Sequence, residues 1–113
     1  MAYLHKQLAQ GRWYELSVIE QLGNIGSEVE RAIKWKQKGD SKTSQQAFYR
    51  ALDLFDLTMD DPRYRQLPGN LKEICRAREI VCDYLVGDNQ YQSSDESLRN
   101  YFFPFAFAAR KDR

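Results

Sequence analysis

The sequence holds one histidine, two cysteines, three prolines and six glycines in 113 residues, and neither charge is in surplus, with 17 Lys and Arg against 16 Asp and Glu. Each shortage removes a class of protein. A single imidazole, His5 in the weakly patterned N-terminal stretch, excludes Ser-His-Asp and Cys-His catalysis and multi-histidine metal centres within one chain. A net charge of +1 sets the chain apart from dedicated nucleic-acid binders, which carry a strong basic excess. Cys75 and Cys82 fall on one face of an expected helix, roughly 10 Å apart by the helical rise, too far for a mutual disulfide, so they read as buried free thiols. No apolar run reaches the length of a membrane span. Residues Met1 to Gly11 carry His5, Lys6 and Gln7 where a signal peptide needs an apolar stretch, so a cytoplasmic protein without a membrane role is expected. A phosphate-binding glycine loop is missing as well, because Gly23-Asn24-Ile25-Gly26 lacks both the spacing and the preceding strand.

What is present is helical pattern. With 13% aromatic and 29% charged residues the chain is composed to fold, and its length fits one domain, residues 1–113, with a frayed arm over 1–11 and a solvated tail over 110–113. From Trp13 to Lys38 a helix is expected, with Val18, Leu22, Ile25, Val29, Ala32 and Lys36 on one stripe and Ile19, Gly26 and Ile33 beside it. Gly23 and Gly26 weaken a helix by about 1 kcal/mol each relative to Ala, so they mark either a kink or close approach of a neighbouring backbone, and close packing is the reading favoured. Lys38-Gly39-Asp40 ends this helix.

The next helix begins at the capping-box pattern Thr43 to Gln46 and stops at Asp61-Pro62. At about 100° per residue Ala47, Phe48, Ala51, Leu54, Phe55 and Thr58 share one arc, while Asp53, Asp56 and Asp60 take the solvated side. A third helix runs from Asn70 to about Val86, its arc holding Leu71, Ile74, Val81 and Leu85 with Arg78 in the middle. A guanidinium there must be paired or reach out to water. The last helix opens at Ser93-Ser94-Asp95-Glu96. Beyond it Tyr101, Phe102, Phe103, Phe105 and Phe107 are apolar on every side, the mark of a helix that is either central or shared with a partner chain. Pro104 is expected to kink it. Four helices joined by short polar connections predict an all-α, antiparallel four-helix bundle.

No catalytic residues, cofactor or metal are expected. The aspartates of the second helix are accounted for by solvation, since di-metal bundles also use Glu-x-x-His ligands. Arg31, Lys34 and Lys38 surround Trp35, and with Arg78, Arg99 and Asn100 they are the residues that RNA or another ligand would touch, by base stacking beside cations.

Two resemblances add to this. Lys38-Gly39-Asp40 followed by Ala47, Ala51-Leu52 and Asp61-Pro62 resembles the second half of a tetratricopeptide repeat, though no second copy occurs. The order of a long first helix, a Gly-Asp turn, a second helix with small and aromatic residues and two further helices is similar to HEPN-type bundles. Many members of that superfamily are ribonucleases or partners of minimal nucleotidyltransferases. Their motif is an Arg, a polar residue and then a His. Arg99-Asn100 matches its first half, and Tyr101 to Arg113 contains no His, so the resemblance implies a nuclease-like bundle without ribonuclease activity. Taken together, the sequence predicts a non-catalytic module that forms a homo-oligomer and binds a protein partner through Tyr101, Phe102, Phe103, Phe105 and Phe107. RNA binding is the alternative.

Overall fold

A computed structural model of the chain describes residues 11–111, so His5 and most of the expected N-terminal arm lie outside the described residues. Every regular element among the described residues is helical. A 3-10 turn over Arg12–Glu15 precedes α1 (Val18–Gln37), followed by α2 (Ser41–Met59), the single turn α3 (Pro62–Arg65), α4 (Pro68–Leu85) and α5 (Asp95–Lys111).

The helix ends differ from expectation by one to five residues. α1 does not run on from Trp13. Ser17 and Glu20 exchange backbone and side-chain hydrogen bonds at 3.1 Å in a capping box and start the helix there. Gly39 closes α1 at φ 81, its N–H donating to the Lys36 carbonyl while the Asp40 N–H reaches Trp35. Asp40 then serves as the first cap of α2, accepting the Thr43 N–H at 3.0 Å, which displaces the Thr43 cap. In α4, Pro68 takes the first turn, where its missing N–H leaves no bond unmade, so the helix begins ahead of Asn70. Ser94 and Ser97 bond reciprocally at 2.8 and 3.0 Å ahead of α5, one residue from the Ser93–Glu96 pair expected.

α1 lies between α2 and α5. On one side Ala32, Ala47 and Ala51 are buried, so the two backbones come close enough for the Ser44 hydroxyl to donate to the Ala32 carbonyl at 2.6 Å. Arg50 reaches Glu28 in the same seam at 2.9 Å. On the other side a Cβ built on Gly26 would stand 2.8 Å from the Phe102 Cβ, so α5 sits where only glycine fits. This is the close approach that Gly26 signals. Ile25, Val29, Ile33, Leu54, Phe55 and Val81 fill the core, each fully buried apolar side chain contributing about 1.5–3 kcal/mol.

A polar cluster closes one end. Trp13 is 2% exposed; its indole N–H donates to Thr58 Oγ1 at 3.0 Å, and Gln21 donates to the Trp13 carbonyl and to Asp61 Oδ2. Asp61 also caps α3, accepting the Arg63 N–H at 3.0 Å, and receives the Arg63 guanidinium at 2.6 Å. Burial alone would raise the Asp61 carboxyl, but hydrogen bonds from Arg63 and Gln21 hold it below the usual range. Burial, with the Asp61 charge beside it, pushes Tyr64 up to about 12.

Two expected positions are corrected. Asp53, assigned by periodicity to the solvated face of α2, is 8% exposed. Lys36, assigned to the apolar stripe of α1, is exposed, with its ammonium 5.1 Å from the Tyr84 ring centre. A cation–π contact explains Lys36, since the ring face of Tyr84 attracts the ammonium while the side chain stays exposed.

Candidate functional site

Six of the residues singled out in the sequence, Arg31, Lys34, Arg99, Asn100, Phe102 and Phe103, meet in one groove between α1 and α5. It encloses about 490 Å³, and Arg31, Lys34, Arg99, Asn100 and Phe103 line it with Glu30. The helices bring them together because α1 and α5 run in opposite directions: Gly26 faces Phe102, Glu30 faces Arg99 and Gln37 faces Asp95. Arg99 donates to Glu30 at 2.7 Å. Arg31 is held by Glu28 at 2.6 Å, the same carboxylate that receives Arg50. Two of the three cations are thereby neutralised in place. Lys34 makes no ion pair with any described residue.

Trp35 and Lys38 do not line this groove. Trp35 is half-buried and Lys38 stands over its ring at 4.9 Å, a cation–π pair within α1 rather than a stacking platform held open. Arg78 lies elsewhere, between α2 and α4, bonded to Asp56 at 3.1 Å. The pairing that burial on an apolar arc demands is therefore supplied within the fold.

The aromatic residues of α5 separate into two sets. Phe102 is 4% exposed and belongs to the chain's own core, which removes it from the outward-facing group. Tyr101 and Phe105 lean on that core, with rings 5.8 Å apart. Phe103 and Phe107 face outward at 61% and 55% exposure, one turn apart, their rings stacked at 6.1 Å and 26°. The segment is apolar all round, but Gly26 fixes its rotation, and only two of the five rings are left outside. Phe103 borders the groove as well, so the ridge and the groove form one continuous surface.

At the other end of the groove the Tyr84 hydroxyl donates to Asp95, which also receives Gln37 at 2.5 Å. Burial works against the Asp95 charge, and those two hydrogen bonds outweigh it, so its carboxyl lies below the usual range. This lock was missed in the sequence, where Asp95 signals only a helix start. Finding it requires the register of α1, α4 and α5 together. Among the described residues no three His, Cys, Asp or Glu side chains converge to hold a metal ion, and no helix is long and apolar enough to cross a membrane. Comparison with protein-family models, characterised proteins and solved structures finds no match to this chain.

Proposed function

We propose that this protein is a non-catalytic cytoplasmic interaction module that self-associates and receives a protein partner, built as an antiparallel bundle of α1, α2, α4 and α5 with α5 kinked at Pro104. The observation that carries this is the stacked pair Phe103 and Phe107, more than half exposed beside the α1–α5 groove. Two large rings held in water along one ridge are the kind of surface that a monomer seldom keeps. A two-fold contact would place the ridge of one copy against that of another. The antiparallel arrangement is supported by contacts whose numbers run in opposite senses: Glu28–Arg50 with Ala32–Ser44, Asp56–Arg78 with Met59–Cys75, Glu73–Tyr101 with Tyr84–Asp95, and Glu30–Arg99 with Gln37–Asp95.

Light scattering after size exclusion tests the reading. The intact chain is expected to run as an oligomer, and the Phe103→Asp, Phe107→Asp variant as a folded monomer. An intact chain that stays monomeric at high concentration would remove self-association.

The convergence of Arg31, Lys34, Arg99 and Asn100 on one groove favours a second reading, an RNA-binding bundle resembling a degenerate HEPN nuclease. The pairing of Arg31 and Arg99 with carboxylates weakens it. It requires salt-dependent RNA binding that falls when Lys34 and Arg99 are neutralised. No binding at low salt would end it.

A further inference from the structure

α5 has a second neighbour besides α1, and there the two helices stay apart. Tyr101 bonds Glu73 at 3.2 Å at one end of the α4–α5 seam and Tyr84 bonds Asp95 at the other, but between these bridges lies a cleft of about 370 Å³. Ala77, Ile80 and Val81 form one wall, Leu98, Tyr101 and Phe102 the opposite one, and Tyr91, Gln92 and Ser93 of the connecting segment close the side. That segment is fixed: the Asp83 carboxylate accepts the Gln90 and Tyr91 N–H groups at 2.8 and 3.0 Å, and Asn89 and Gln92 both take φ 54. The cleft is preformed and mostly apolar.

Its charged rim is a row on α4, one residue per turn. Glu73 is engaged by the Tyr101 hydroxyl and Glu79 by the Tyr91 hydroxyl at 3.2 Å. Arg76 stands between them, lines the cleft, and makes no ion pair with any described residue. Glu73 and Glu79 each accept a tyrosine hydroxyl on one oxygen, and neither forms an ion pair with Arg76. Pockets between helices of a bundle, apolar with a few placed polar groups, are where small molecules bind.

We propose that the α4–α5 cleft binds a compact apolar carboxylate, its hydrocarbon or aromatic body against Ala77, Ile80 and Phe102 and its acid group on Arg76. The volume corresponds to about a dozen water molecules, which sets the ligand at roughly a dozen non-hydrogen atoms. This site is separate from the Phe103–Phe107 ridge and does not depend on it.

The test uses the full chain and two probes of equal shape, 2-naphthoate and the uncharged 2-naphthamide, titrated by calorimetry. Expected are one saturable site per chain for naphthoate and an affinity at least fivefold lower for the amide. Arg76→Gln should bring naphthoate down to the level of the amide, Ile80→Trp should plug the cleft, and Phe103→Asp, Phe107→Asp should leave binding unchanged. Amide chemical shifts of the unmutated chain give a readout that needs no variant to fold, and naphthoate should perturb residues 76–81 and 97–102. No saturable uptake, equal affinity for the two probes, or shifts centred on Phe103 and Phe107 or on the α1–α5 groove would overturn the proposal. Oligomeric state is measured separately, so failure here leaves the self-association reading standing, and the reverse.

Discussion

The two seams of α5 are built from the same helix and end differently. Toward α1 it meets Gly26, where Phe102 approaches until no Cβ would fit, and the groove of Arg31 and Arg99 lies beside that contact. Toward α4 it meets Glu73, Arg76 and Ile80, whose side chains hold the helices apart and leave a cleft bridged by tyrosines. Apolarity is present on both sides. What decides whether a seam closes is the size of the residue opposite, because dispersion falls away within an ångström of lost contact.

If that is so, breaking the closed seam should do most damage. Phe102→Ala removes the ring that Gly26 accommodates, and urea unfolding should show a loss of about 4 kcal/mol. Gly26→Val approaches the same contact from the other side; overpacking should cost about 3 kcal/mol in the same assay, although valine is the better helix former. A gain in stability would show that α5 does not need the close approach. The open seam should respond weakly. Tyr101→Phe deletes one half-exposed bridge and should cost under about 1 kcal/mol at neutral pH.

That cost should shrink and then reverse in alkali. Burial first, then the Glu73 charge, raise Tyr101 to about 12. A group raised in the folded state contributes stability that is complete below its unfolded pKa of 10.0 and is lost as pH climbs through 12. Denaturation followed from pH 9 to 12 should therefore be less steep for Tyr101→Phe, with Tyr64 supplying what steepness remains. Smallest of all should be Phe103→Ser with Phe107→Ser, whose rings are more than half exposed and which should change monomer stability by less than about 0.5 kcal/mol.

The contrast between the seams was partly legible. Gly26 in a helical pattern pointed to a close neighbour, and the run from Tyr101 to Phe107 announced a helix with no polar face. Neither residue alone says which ring turns inward; pairing 26 with 102 does, and that register belongs to the tertiary structure. Arg78 was legible as a paired cation because an apolar arc leaves a guanidinium few alternatives, whereas its partner Asp56 was assigned to solvent. Asp53 misled for a related reason: periodicity separates two faces, and α2 is covered on more than two. The groove residues Arg31, Lys34 and Arg99 were recognised as cations, but Glu28 and Glu30, which neutralise two of them, carried no signal of their own. Trp13 was taken into α1 because nothing in its type shows that it packs beneath Thr58.

The central position of α1 has a consequence for the order in which the chain is made. Its contacts with α2 link residues as near in sequence as Ala32 and Ser44, so that hairpin can form while the chain is still short. Its other face is completed only by contacts such as Glu30 to Arg99, 69 residues apart, and Gln37 to Asp95, 58 apart. During synthesis the glycine-bearing side of α1 therefore cannot close before α5 emerges.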